Sequence, residues 1–213
     1  MALGPIQYNW GPLLYQSKLL PEDIKNILKI CVKDKKHSAV KSLAANIKQE
    51  FFIDGKKFMQ ITEKYYQDYI KTFEKYYETS VPNLNLETVW VNFMKAGESN
   101  PPHIHTNCNL SSVWFLKIPD ELKKENLKYR GTVVNGGPGS ICFMNGTFSP
   151  MSIDEVRWFP QEGDFFIFPY NVKHYVSPFI SKCVRVSVAA NYTIDVTNEK
   201  QKTAGFFGTY EKK

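Results

Sequence analysis

Hydrophobic and polar positions follow a helical pattern up to about residue 82 and a strand-like pattern after it. In the first part, apolar residues recur at three- and four-residue steps, which predicts helices that each bury one face. One helix is predicted to begin at Pro21, and a short second helix is predicted over residues 40–51. The third helix carries a largely aromatic stripe, which predicts a packing face: Phe58, Ile61, Tyr65, Tyr69, Phe73 and Tyr76.

From residue 84 onward, short runs rich in β-branched and aromatic residues are separated by Pro, Gly and Asn. Strands are predicted at residues 87–95, 111–118, 140–144, 164–168, 174–177 and 184–193. Their number and spacing predict a mainly β protein with N-terminal helices, built on an antiparallel jelly roll. We expect a single domain over residues 1–213, with a helical support region (1–83), a β core (84–195) and a C-terminal tail (196–213).

The composition is that of an ordinary globular protein. The chain has 213 residues, and 43% of them are hydrophobic, which argues against wholesale disorder. No run approaches the roughly 18 apolar residues of a membrane span, so no membrane partner is expected. The N-terminus lacks a secretory signal pattern and the four cysteines are scattered, which predicts a reduced, cytoplasmic location.

The net charge of +6 lies outside the predicted β core. Residues 1–83 contribute +4, residues 84–195 are neutral overall, and residues 196–213 contribute +2. The first segment contains lysines but no arginine, and these lysines alternate with acidic residues. We interpret the excess as solvated surface charge, so a nucleic-acid partner is not expected.

Three of the four histidines lie in two short motifs. His103 and His105 are two residues apart, so on a strand both side chains reach the same face. His174 begins the strand that follows a buried-looking run ending at a proline turn. Because imidazoles suit Fe, Zn, Cu and Ni, these three residues predict a metal site with open coordination positions. The fourth histidine, His37, is expected to be solvated.

An arginine interrupts the apolar strand that comes after His174. Arg185 and Ser187 alternate with valines and share one face of this strand. A buried guanidinium needs an anionic partner, because an unpaired buried charge costs several kcal/mol. We therefore predict that the pair holds a ligand carboxylate, the alternatives being an internal salt bridge or simple exposure.

Taken together, the two histidine motifs and the Arg-x-Ser pair resemble the iron(II)- and 2-oxoglutarate-dependent oxygenase superfamily. More narrowly, four segments resemble a small prolyl-hydroxylase-like branch found in bacteria and phages: residues 100–107, 110–119, 168–178 and 185–191. The resemblance covers roughly residues 84–192. It implies a double-stranded β-helix, a cupin-like jelly roll, with the metal at its open end.

The resemblance also implies a reaction. Fe(II) would be the metal, with 2-oxoglutarate and O2 as cosubstrates and ascorbate as an optional addition. Oxidative decarboxylation of 2-oxoglutarate to succinate would be coupled to hydroxylation of a C–H bond. The substrate would be a peptide or protein side chain such as proline, or a small molecule. If the gene is of phage origin, the location would be the host cytoplasm.

The resemblance assigns residue roles by position. Arg185 and Ser187 would bind the distal carboxylate of 2-oxoglutarate. Asn92, eleven residues before His103, is a further candidate contact to the cosubstrate. No catalytic residue beyond the metal ligands is predicted.

One residue departs from the pattern of the superfamily. The usual motif is His-x-Asp or His-x-Glu followed by a distal histidine, and here His105 replaces the carboxylate. A third imidazole makes the site one unit more positive. The alternative is that His105 does not ligate, and Glu98 lies in a predicted turn where it offers no substitute.

Two other functional classes remain open at this point. The histidines also partly match a cupin, which would be a metal-dependent enzyme that does not use 2-oxoglutarate. A non-catalytic jelly-roll module for binding or assembly is the other alternative. Arg185 and Ser187 discriminate, because only the 2-oxoglutarate enzyme gives them a defined role. The oligomeric state stays open, a dimer included.

Overall fold

The computed structural model describes residues 11–129, 136–147, 149–150 and 153–197. Two antiparallel sheets contain ten strands in these residues. In chain order the strands are β1 (Tyr15–Lys18), β2 (Glu50–Phe52), β3 (Ser80–Lys95), β4 (Asn100–His103), β5 (Leu110–Lys117), β6 (Ile141–Met144), β7 (Glu155–Trp158), β8 (Asp164–Pro169), β9 (Lys173–Val176) and β10 (Val184–Thr197).

The two sheets face each other across an apolar core. The larger sheet has the order β1-β8-β5-β10-β3-β2, and the smaller one has the order β4-β9-β6-β7. Alternation along β5 directs Phe115 into the space between the sheets and Trp114 to the opposite face. Phe166 from the larger sheet and Phe143 from the smaller one pack in the same inner core. The predicted jelly roll is therefore confirmed.

Helices cover the outer face of the larger sheet. They are α1 (Pro21–Ile30) and α2 (Gly55–Tyr77), while α3 (Asp120–Tyr129) follows β5. The Asp54 side chain caps α2 by accepting a hydrogen bond from the Lys57 backbone N–H. The aromatic stripe of α2 is a packing face, as predicted, since Phe58, Tyr65 and Tyr66 surround Trp114.

The helix predicted over residues 40–51 is wrong. Residues 40–49 form turns and extended chain, and residues 50–52 form β2, which pairs with β3. Ile47 is buried in the core between the sheets, and Phe51 packs against the helical layer. These long-range contacts override a weak local helix preference. Because β1 also joins the larger sheet, the segment before residue 84 contributes two complete strands and the start of β3 rather than helices alone.

No helix in the described ranges is both long and apolar enough to cross a bilayer. Of the tail predicted over residues 196–213, the structure describes residues 196 and 197, which end β10. Residues 198–213 lie outside the described part of the chain.

We expect Trp114→Ala to destabilise the fold severely. Trp114 is fully buried, and its ring stacks on Phe165 at a centroid distance of 4.2 Å. Truncating a core tryptophan typically costs about 3–5 kcal/mol of unfolding free energy. Urea unfolding measures the loss, with Trp158→Ala as the control, since Trp158 is 40% exposed on β7. Equal losses in both variants would contradict the central position of Trp114.

Candidate active site

Strand pairing brings the three predicted histidines together at one end of the roll. His103 ends β4, and its direct partner in the antiparallel β4–β9 pair is His174. His105 lies in the loop after β4, where its backbone N–H donates to the Tyr170 carbonyl at 3.0 Å. One nitrogen from each ring lies within 4.8 Å of the others. The structure therefore assembles the trio that the sequence singles out.

Backbone hydrogen bonds orient two of the three rings. Nδ1 of His103 lies 2.7 Å from the Pro101 carbonyl, and Nδ1 of His174 lies 2.9 Å from the Val172 carbonyl. A carbonyl only accepts, so each Nδ1 carries the proton, and in a neutral ring Nε2 keeps its lone pair. Nε2 of His174 and Nε2 of His105 are 3.3 Å apart. Nitrogens that converge in this way suit a shared cation.

Burial keeps the histidines neutral. Burial lowers the pKa of His103. Burial, and then repulsion from His103 when it is protonated, lower the pKa of His105 to about 4. The pKa of His174 falls to about 3, chiefly through burial and then through the other two rings. A metal ion binds the neutral form of imidazole. All three rings are therefore in the metal-binding form at neutral pH.

The donor set fits a divalent transition metal. In the part of the chain that the structure describes, no carboxylate oxygen joins the three nitrogens. Glu98 offers none, because its two carboxylate oxygens accept the backbone N–H groups of Lys48 and Lys95. Three imidazoles suit Fe, Zn, Cu and Ni, and they leave further coordination positions for other ligands.

Arg185 lies on the inner face of β10, 2% exposed. One terminal nitrogen, Nη1, donates to the Gly139 carbonyl at 3.1 Å, while Nε has no hydrogen-bond partner among the described residues. The guanidinium lies 5.4 Å from the centre of the Phe115 ring, and no described residue forms an ion pair with it. Burial lowers the pKa of Arg185 to about 10, so the group remains a cation at neutral pH. This buried cation therefore fits an anionic ligand better than an internal salt bridge.

Ser187 and Asn92 lie beside this cation. They are direct partners in the β10–β3 pair, and both are buried. Within the part of the chain that the structure describes, Asn92 Oδ1 has no hydrogen-bond partner. Together with Arg185 and the three histidines, they line one inner cavity between the sheets. The structure therefore brings together all six residues that the sequence predicts for the site.

An outer pocket of about 400 Å³ opens on the other side of the histidines. His103, His105, Trp90 and Asn100 line both this pocket and the inner cavity. The remaining wall comes from residues 42–45, from β2, from neighbouring parts of β3 and the loop after β4, and from Asn191 on β10. Sequence reasoning missed Glu50 in this wall, because it places residues 40–51 in a helix.

Comparisons with known proteins agree with this geometry. The family model described as "Putative 2OG-Fe(II) oxygenase" matches residues 88–191, which include all six predicted site residues. A viral collagen prolyl hydroxylase from Paramecium bursaria Chlorella virus-1, in complex with 2OG, superposes with a TM-score of 0.53 at 12% identity, over 84% of this chain and 94% of that one. A Pseudomonas putida prolyl-4-hydroxylase gives 0.52 at 14% identity, over 84% and 91%. At these identities the likeness shows the fold. No curated protein matches the sequence.

Proposed function

This chain belongs to the iron(II)- and 2-oxoglutarate-dependent oxygenase superfamily, and we propose that its substrate is a side chain of a peptide or protein. The enzyme uses Fe(II), 2-oxoglutarate and O2. Its overall reaction converts 2-oxoglutarate, O2 and a substrate C–H group into succinate, carbon dioxide and an alcohol. One oxygen atom enters succinate and the other enters the substrate.

The assignment of residues rests on two features that occur in the same cavity. Three neutral imidazoles converge in its lining, and a buried guanidinium that forms no ion pair with a described residue lies in its wall. We assign His103, His105 and His174 as the ligands of the iron. When bound, Fe(II) supplies the oxidising chemistry with 2-oxoglutarate and O2. The chain itself contributes the fixed imidazole orientation and a cavity shielded from water.

Arg185 and Ser187 would hold the distal carboxylate of 2-oxoglutarate. The free Nε of Arg185 can donate to a carboxylate oxygen, and the Ser187 hydroxyl lies on the same face of β10. Asn92, directly opposite Ser187, would add an amide contact. A carboxylate bound there would compensate the buried charge of Arg185. Binding of 2-oxoglutarate would therefore remove the free-energy cost of leaving that charge without an anionic partner.

A peptide substrate is supported by the outer pocket and by the fold. The pocket lies against His103 and His105 and is open to solvent, so a chain longer than the pocket can extend beyond it. Both solved structures named above are prolyl hydroxylases, which makes a prolyl side chain the first candidate to test.

Succinate release tests the proposal. We expect at least one peptide, in a panel that includes prolyl sequences, to raise succinate release above the rate with 2-oxoglutarate alone. Mass spectrometry should then find the mass of one added oxygen atom on that peptide. Free amino acids and nucleotides serve as controls. Stimulation by one of these small molecules, with none by any peptide, would contradict a peptide substrate.

A further inference from the structure

A buried carboxyl group that forms no ion pair with any described residue lies in the wall of the outer pocket. Glu50, the first residue of β2, is 1% exposed, and its Oε2 accepts no hydrogen bond from a residue in the described ranges. Its direct partner in the β2–β3 pair is Asn92, which in turn lies opposite Ser187. Glu50 therefore continues the row of Ser187 and Asn92 across the sheet, but its side chain lines the outer pocket and not the inner cavity.

The charges of the pocket wall are one-sided. Its lining residues within the described ranges include two carboxylates, Glu50 and Glu87, and no lysine or arginine. The chain as a whole has 27 basic residues and a net charge of +6. The absence of a basic side chain from these lining residues leaves Glu50 without an ion-pair partner in the pocket.

The neighbourhood of Glu50 disfavours its charged form while the pocket is empty. Burial, and then the negative charge of Glu98, raise the pKa of Glu50 to about 8. Glu98 is held by the backbone N–H groups of Lys48 and Lys95 and stays in place. A cation arriving from outside would favour the ionised carboxylate and repay part of this cost.

The unpaired polar atoms in this wall match a ligand that only donates hydrogen bonds. Asn100 Oδ1 is also buried, and no described residue donates a hydrogen bond to it. Asn100 lines both the pocket and the inner cavity. Two unsatisfied oxygens therefore lie in the same wall. Ammonium and guanidinium groups carry several N–H donors and no acceptor, whereas the nitrogen of a prolyl residue carries no hydrogen.

The same wall can accommodate the apolar stem of a basic side chain. Phe52 and Trp90 are direct partners in the β2–β3 pair, and both line the pocket. Lysine and arginine bury their methylene groups against such surfaces and direct the charged end to a polar partner.

We propose that Glu50 binds the cationic end of a lysine or arginine side chain of the substrate peptide. The inference rests on the proposed function, since it names the class of peptide that this pocket takes. Glu50 is then a specificity-determining residue, and its ion pair fixes the peptide beside His103 and His105.

Matched peptides and one isosteric variant test the inference. We expect a peptide with lysine to have a KM at least about thirtyfold lower than the same peptide with acetyl-lysine, because loss of a buried ion pair costs about 2 kcal/mol or more. In Glu50→Gln this ratio should fall to near one. The dissociation constant of 2-oxoglutarate should stay unchanged. Glu50→Asp, which keeps the charge, should retain part of the preference.

Glu155→Gln is the matched control, since it removes a half-buried carboxylate from β7, at the far edge of the smaller sheet. It should keep the wild-type ratio. Equal use of charged and neutral peptides by the wild type would overturn the inference while leaving the peptide proposal intact. That comparison needs no variant, so it decides even if Glu50→Gln does not fold. Preference for lysine that survives in Glu50→Gln would equally overturn the role of Glu50.

Discussion

His174→Ala is expected to lose iron binding and, with it, all 2-oxoglutarate-dependent succinate release. His174 is 5% exposed, and the Val172 carbonyl holds its Nδ1 so that Nε2 points toward the other two rings. Loss of an outer partner of a metal ligand typically costs about 10–100-fold in affinity or activity. Loss of a ligand itself should exceed that range, because two imidazoles remain and one coordination position opens to water.

The weak visible charge-transfer band of the chelate, formed anaerobically from Fe(II) and 2-oxoglutarate, measures the effect directly. The wild type should show the band and His174→Ala should not. His37→Ala is the control, since His37 is exposed and pairs with Asp34 at 2.9 Å. A full band in His174→Ala, or its loss in His37→Ala, would refute the assignment. The same titration of His105→Ala decides whether the third imidazole ligates, and we expect weaker iron binding in that variant.

Arg185→Ala is expected to weaken 2-oxoglutarate binding strongly while iron binding stays close to that of the wild type. Truncating one partner of a buried, hydrogen-bonded charge pair typically costs 2–5 kcal/mol, which corresponds to about thirtyfold to several thousandfold in affinity. Iron binding should be spared because the three proposed ligands lie on β4, the following loop and β9, whereas Arg185 lies on β10. Anaerobic titrations of iron and of 2-oxoglutarate separate the two effects.

Thermal unfolding gives a second readout for Arg185. A ligand that binds only the folded protein raises its stability, so 2-oxoglutarate should raise the melting temperature of the wild type and fail to do so in Arg185→Ala. Arg157→Ala is the control, because Arg157 pairs with Glu155 on the partly exposed strand β7. Parallel loss of iron and 2-oxoglutarate binding, or no change in either, would contradict the role assigned to Arg185.

The structure brings together the candidate site residues that the sequence singles out, whereas it corrects one of the elements around them. His103 and His105 are two residues apart, and Arg185 alternates with valines, so local spacing alone places each side chain on a face. Local spacing does not show which strands become neighbours in the sheet. The direct pairing of His103 with His174 joins residues 71 positions apart in the chain, and here the motif resemblance supplied what periodicity could not.

The segment containing β2 shows where local reasoning fails. Residues 40–51 include alanine, leucine and isoleucine at helix-compatible steps, yet pairing with β3 fixes the end of this segment as a strand. Because this segment is predicted as an amphipathic helix, the carboxylate of Glu50 is expected to face solvent, and its burial is missed. No local signal marks Glu50, because its burial depends on β3 and on the loop before β4.

The alternatives drawn from the sequence are now ranked by the fold and the family match. A metal enzyme that does not use 2-oxoglutarate would give a buried cation such as Arg185 no defined task, and the family match covers both histidine motifs and this arginine. A non-catalytic module would have no use for three neutral imidazoles with converging nitrogens. Neither alternative is favoured.

The position of β4 gives the metal ion a mechanical consequence. β4 is an edge strand of the smaller sheet, and its register to β9 is irregular between Asn100 and His103. An ion bound to both His103 and His174 would hold this irregularly paired strand against β9. Asn100 and His103 also line the outer pocket, so loss of the ion is expected to loosen this wall of the pocket before the rest of the roll unfolds.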